Sequence, residues 1–247
     1  MKKIKVGAVS YLNTKPLLFG IERSDELMKE IELIKDYPSQ IAKQLIKGEI
    51  DIGLVPVAII PQLKEHYIIS DYCIGAEGNV ASVCLFSDVE LDKIEKVLLD
   101  YQSKTSVALC KVLLKQHWKK QVILEDAQKD FTRQITGTTA GVLIGDRALR
   151  QREKSKFIYD LAGAWKIMTG LPFVFAAWIA NKQLPEDFLK LFNKKNAEGV
   201  NNIDAVLQTV ACDFYDMRTY YTQNISYKLS AEKLKGMNLF LELYREL

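Results

Sequence analysis

Residues 48–57, GEIDIGLVPV, decide the fold. From Ile50 to Val57 the run is almost continuously apolar, which is the signature of a parallel strand covered by helices on both faces. Gly48 stands where a preceding helix has to stop. Read backwards, that helix carries Ile41, Ala42, Leu45 and Ile46 at helical spacing, with Ser39 expected as its N-cap. Further upstream, Ile4, Val6 and Ala8 alternate in a first strand, which ends in the polar turn Ser10–Thr14. Pro16 is suited to the first turn of a helix, and Ile31–Ile34 reads as the next strand. The order strand–helix–strand–helix–strand implies right-handed crossovers and a doubly wound α/β sheet.

Downstream, Val80–Phe86 reads as a strong strand. Val97–Leu99 opens a second α/β unit, with a Ser/Thr-rich turn and a helix whose Leu109, Val112 and Leu113 share one face. Val122–Leu124, Gly141–Ile144 and Phe157–Tyr159 read as further strands. Phe173–Ala180 is too β-branched and aromatic at its start to be a helix. Beyond it the chain reads as helical almost to its end, with Ser230 as a cap for the last helix. No Gly/Pro/Ser-rich linker divides the chain, so two lobes would have to be joined through ordered strands. Ala81–Ser87 and Phe173–Ala180 are the candidates. The expectation is a clamshell: residues 1–84 and 177–247 in one lobe, 85–176 in the other, and a cleft at the hinge.

Composition narrows the function. The 247 residues carry 34 Lys+Arg and 31 Asp+Glu, a formal net charge of +3. That balance is no nucleic-acid footprint, and Lys111, Lys115, Lys119 and Lys120 read as a solvated helix face. Cys73, Cys84, Cys110 and Cys212 are scattered among apolar neighbours, with no C-x-x-C pair and no histidine at ligand spacing. No metal site is expected, and a reducing compartment is. The N-terminal apolar stretch is broken by Ser10, Asn13 and Thr14, and no run reaches the ~20 residues of a membrane helix. A cytoplasmic protein without a membrane partner is the expectation; a homo-oligomer is allowed.

Four constellations can carry chemistry. Ser10-Tyr11-Leu12-Asn13 lies at the carboxyl end of the first strand, where open α/β sheets bind ligands; an Asx turn is the alternative. Ser103-Lys104-Thr105-Ser106 opens a helix, so it either caps that helix or cradles a carboxylate or phosphate. Ile144-Gly145-Asp146-Arg147 follows a strand and either caps the next helix or points a carboxylate into the cleft. Ser82, on a strand whose faces alternate, either faces the cleft or bonds to backbone. His66 and His117 are the only histidines, both in charged helix-like segments. The chain contains no G-x-S-x-G, G-x-G-x-x-G or G-x-x-x-x-G-K-S/T. Any enzyme reading must therefore do without a histidine base, a metal or a nucleotide cofactor.

Taken together, VSYLNTKPL (9–17), GEIDIGLVPV (48–57), SVCLFS (82–87), SKTSVAL (103–109), IGDRAL (144–149), TGLPFVFAAW (169–178) and YYTQNISYKL (220–229) resemble the chorismate dehydratase family of the futalosine route to menaquinone. The resemblance implies a periplasmic-binding-protein type 2-like fold. It also implies dehydration of chorismate to 3-(1-carboxyvinyloxy)benzoate, with loss of the ring C3 hydrogen and the C4 hydroxyl and aromatisation of the ring. The substrate's side-chain carboxylate can itself take the proton, leaving the protein to position it and exclude water. Carried over by motif, Asn13 and Ser82 stand nearest the chemistry. Thr105 and Ser106 hold a carboxylate at the helix start. Tyr11, Lys15, Asp146, Thr169 and Gly170 fall on motif positions as substrate-binding candidates, with Lys15 equally open to a surface role. No cofactor is implied. Two alternatives remain. One is the dihydroxynaphthoate synthase of the same route, whose expected histidine near the first strand is not evident. The other is a non-catalytic binding protein for a small acid.

Overall fold

The computed structural model describes residues 3–247. The first lobe opens with β1 (Ile4–Val9), α1 (Lys15–Glu22), α2 (Asp25–Glu30), β2 (Ile31–Asp36), α3 (Pro38–Ile46) and β3 (Ile52–Pro56). Both β2 and β3 pair parallel to β1, one on each side. Every residue of β3 is buried, as its unbroken apolar run requires. Gly48 ends the α3 segment at φ 71°, a left-handed conformation that glycine adopts freely. The N-terminus of α3 corrects the expectation: Tyr37 is the extended N-cap and Pro38 opens the helix, so Ser39 lies inside it. A proline at that position gives up no hydrogen bond, and its fixed φ suits the first turn.

The chain continues through β4 (Tyr67–Ala76) and crosses to the second lobe over residues 77–82. There it forms β5 (Val83–Ser87), β6 (Lys96–Leu99), α4 (Thr105–Val112), β7 (Ile123–Asp126), β8 (Thr139–Ile144), α5 (Gly145–Gln151) and β9 (Phe157–Asp160). These strands make a five-stranded sheet in the order β7-β6-β8-β5-β9. The faces of β5 do alternate: Val83 and Leu85 join the main core, Cys84 and Phe86 a smaller cluster under the second sheet. The strand begins at Val83, however, leaving Val80–Ser82 in the crossing segment.

The return runs through α6 (Leu161–Thr169) into β10 (Phe173–Ala180), followed by α7 (Glu186–Val200), α8 (Ile203–Leu207), α9 (Met217–Thr219), β11 (Ser226–Lys228) and α10 (Ala231–Arg245). The first sheet thereby reaches six strands in the order β11-β4-β10-β3-β1-β2. β10 pairs antiparallel with β3 and β4 from Phe173 to Ala180. The boundary expected between residues 176 and 177 therefore cuts a strand that belongs wholly to the first sheet, and the crossing precedes Phe173. Ser230 caps α10, its hydroxyl accepting from Lys233 N at 3.2 Å.

Two contacts fix the frame around the cleft. Trp165, Phe173 and Phe240 pack edge to face with ring centroids 5.1–6.2 Å apart, tying α6, β10 and α10 into one core. On the other side, α1 and α7 approach so closely that a Cβ at Gly199 would meet Pro16 O at 2.1 Å. This anchors α1 and with it the Ser10–Thr14 turn at its N-terminal end.

Candidate active site

A cavity lies between the lobes, partly open to solvent. Its walls come from the carboxyl ends of parallel strands in both: Val9 of β1, Pro56 of β3, Ser103, Thr105 and Ser106 beyond β6 and Ile144–Gly145 at the end of β8. Tyr11, Asn13, Ser82, Thr105 and Ser106, the neutral hydrogen-bonding residues singled out in the sequence, all border it. Ile74, Val80, Leu54 and Phe175 supply an apolar wall. Among the described residues, no lysine or arginine lines it. His66 and His117 lie elsewhere, and no cluster of His, Cys, Asp or Glu suited to a metal ion occurs among the described residues. Burial pushes the Cys73 and Cys110 thiols up to about 12, so both stay protonated and unreactive.

Asn13 sits in a single turn of 3-10 helix, Leu12–Thr14. The turn is held by side chains from the C-terminal part of the chain: Tyr221 donates to Leu12 O at 3.0 Å and Tyr227 to Asn13 O at 2.9 Å. Inside the turn, the Thr14 hydroxyl bonds to Val9 O at 2.7 Å. With its backbone so fixed, Asn13 leaves its side-chain Oδ1 buried and without a protein partner. The Ser82 hydroxyl is likewise buried and unpartnered. Buried polar atoms are nearly always bonded, so two such atoms on one cavity leave hydrogen-bonding capacity unmet at this wall.

Tyr220 lies fully buried beside Ser82. Burial pushes its phenol well above the ordinary tyrosine range, with the Ser82 hydroxyl as a smaller opposing influence. The two hydroxyls do not reach hydrogen-bond geometry, and Tyr220 also lacks a partner.

At the start of α4, Ser103 Oγ accepts from Ser106 N at 3.1 Å and so takes the capping role. Thr105 Oγ1 accepts from Ala58 N of the first lobe at 3.2 Å, which leaves the hydroxyl proton available to donate. The helix N-terminus and the hydroxyls of Thr105 and Ser106 together favour an anion without a formal positive charge.

Tyr11 reaches across the cleft and donates its phenol proton to Gln102 Oε1. Arg147 Nη2 bonds to the same oxygen at 2.8 Å and to Asp100 Oδ2 at 2.7 Å. Asp100 is fully buried and accepts as well from Gln102 N and Ile144 N. The Arg147 charge is thus spent on Asp100 rather than offered to a ligand. Burial raises the Tyr11 phenol far above its usual pKa, which keeps it a neutral donor.

Three motif positions do other work. Asp146 takes no part in the lining; its carboxylate accepts from Leu12 N at 3.1 Å and links the lobes. Burial raises its pKa against the pull of that N–H and of Arg150 and Lys15. Thr169 and Gly170 end α6 outside the cavity: Thr169 Oγ1 bonds to Trp165 O at 2.9 Å, and Gly170 is the left-handed cap at φ 74°. Lys15 is exposed on the first turn of α1. The motifs mark the cavity residues but not Gln102, Arg147 and Asp100 as a network, nor Tyr221 and Tyr227 as the support of the Leu12–Thr14 turn. Those two tyrosines stand more than 200 residues from the turn they hold, and the YYTQNISYKL motif is the one signal for them.

Two α/β lobes with a cavity at their strand ends define a protein of the periplasmic-binding-protein-like class. A solved protein of Archaeoglobus fulgidus superposes with a TM-score of 0.77 at 13% identity, over 99% of this chain and 98% of that one. The alkanesulfonate-binding protein of Xanthomonas axonopodis pv. citri, solved with bound MOPS, superposes with a TM-score of 0.66 at 11% identity, over 99% and 92%. Within that class, a family model described as menaquinone biosynthesis matches residues 4–246, and the chain belongs to this family. The chain is similar to the chorismate dehydratase of Campylobacter jejuni, at 28% identity over 98% of this chain and 97% of that protein. It is also similar to that of Thermus thermophilus, at 24% identity over 98% and 95%.

Proposed function

We propose that the protein is a chorismate dehydratase, a carbon–oxygen lyase of menaquinone biosynthesis. The observation that carries the reading is the pair of buried, unpartnered polar atoms, Asn13 Oδ1 and Ser82 Oγ, on a cavity bordered by a helix N-terminus. Full-length similarity to two chorismate dehydratases supplies the substrate. In this reading one carboxylate of chorismate sits at the start of α4 against Thr105 and Ser106. Asn13 Oδ1 accepts from the C4 hydroxyl, and the Ser82 hydroxyl donates to the oxygen as it departs. The substrate's side-chain carboxylate takes the C3 proton. The C3–H electron pair forms the C3=C4 bond as the C4–O bond breaks, the ring becomes aromatic, the departing hydroxide takes up the proton held on the side-chain carboxyl, and one water leaves for each chorismate consumed. A neutral, largely apolar cavity raises the basicity of that carboxylate by excluding water.

The test is incubation of purified protein with chorismate and a chelator, followed by chromatography and mass spectrometry. The expected result is conversion to the enolpyruvyl benzoate. Chorismate recovered intact, or consumed only at the uncatalysed rate, would refute the reading.

A further inference from the structure

The backbone that presents Ser82 is itself in an unfavourable conformation. Ser82 N donates to Val80 O at 2.7 Å, closing a three-residue turn around Ala81. Ala81 has φ 63°, in the left-handed region that non-glycine residues seldom adopt. Such a conformation persists where its surroundings hold it. Here two side chains of the second lobe do so. Asp160 Oδ2 accepts from Ala81 N at 2.8 Å, and Oδ1 accepts from Val80 N at 3.1 Å. Arg152 Nη1 donates to Ala81 O at 3.1 Å. Neither residue lines the cavity, and Ser82 follows directly with its hydroxyl on the cavity wall.

We infer that Asp160, aided by Arg152, is a positioning residue for the dehydration, holding Ala81 left-handed and so fixing where the Ser82 hydroxyl stands. The inference rests on the chorismate dehydratase reading above. Asp160 also caps α6, where Oδ1 accepts from Ala162 N at 3.1 Å and Gly163 N at 3.0 Å. The two duties fall largely on different oxygens, and that separates them experimentally. Asp160→Asn can keep Oδ1 with its three acceptor bonds, and asparagine is a good N-cap. The amide that replaces Oδ2 then faces Ala81 N–H with a donor, and the clamp on Ala81 is lost.

The experiment measures chorismate turnover and backbone amide exchange in wild type, Asp160→Asn, Arg152→Gln and the double variant Ala81→Gly/Asp160→Asn. Asp160→Asn is expected to lower kcat by about 10-fold or more with KM changed less than about threefold, the pattern of an interaction made mainly in the transition state. Exchange at Ala81 N–H is expected to accelerate. Arg152→Gln should act in the same direction, and stands in if Asp160→Asn does not fold. Glycine adopts the left-handed conformation without the clamp, so Ala81→Gly/Asp160→Asn should recover kcat to within about threefold of wild type. A purely structural role for Asp160 would give no such rescue. Unchanged kcat in both single variants, or a loss that Ala81→Gly fails to restore, overturns the inference. If wild type itself does not dehydrate chorismate, the functional reading fails instead. Amide exchange then decides the inference: faster exchange at Ala81 in Asp160→Asn upholds the clamp, and unchanged exchange overturns it.

Discussion

Replacing Ser82 by alanine should make the protein more stable and less active at once. Ser82 is fully buried and its hydroxyl has no partner. A buried hydroxyl left unpaired costs about 1–3 kcal/mol, and alanine removes it at the expense of one oxygen's worth of packing. The net gain is about 1 kcal/mol, which for a chain of this length raises Tm by about 2–4 °C. The same change deletes the donor assigned to the departing oxygen. Turnover of chorismate should therefore fall by more than ~10-fold, or ~1.4 kcal/mol of barrier. Calorimetry on the ligand-free protein and product formation on the same preparation give both readings. A fall in Tm would show that the hydroxyl is bonded in the folded protein. Near-normal turnover would show that the reacting centre lies elsewhere.

Thr105→Val should lower Tm by about 4–8 °C in a thermal melt, because it strands the buried Ala58 N–H at a cost of about 2 kcal/mol, whereas Thr105→Ser should retain most of the stability. Asp146 gives a pH signature. Its folded pKa is raised, chiefly by burial, so the native state takes up the proton at a higher pH than the unfolded chain does. Its contribution to stability therefore rises as pH falls through the folded pKa and levels off below the unfolded value of 3.8. The Tm of wild type relative to Asp146→Asn should accordingly increase between pH 7 and about pH 4. A difference that stays constant or declines would contradict this.

The first βαβαβ unit was legible because its pattern is local: alternation in β1, helical spacing in α3, a glycine stop and the apolar run of β3. β4 was not. Ser70 and Asp71 interrupt its apolar pattern, Asp71 being exposed, and the strand is recognisable only beside β10, which arrives about a hundred residues later. The cleft residues were legible as motifs at strand ends, but the motifs mix two kinds of position. Asn13, Ser82 and Thr105 face the cavity, whereas Thr169 and Gly170 terminate a helix that leads into β10. A Thr-Gly pair has the same appearance in either role. Asp160 is not legible in the sequence, because an aspartate before an apolar helical run looks the same whether it only caps that helix or also holds another segment. Its second duty, at Ala81, depends on a contact between residues 79 apart in sequence.

The most direct test is a crystal structure of the protein with the enolpyruvyl benzoate product bound. One carboxylate should lie within hydrogen-bond distance of Thr105 and Ser106 at the start of α4, and the ring position that carried the lost hydroxyl should lie against Asn13 and Ser82. A product seated outside the cavity between the lobes, or held there by lysine or arginine side chains with Asn13 and Ser82 still unpartnered, would contradict the account.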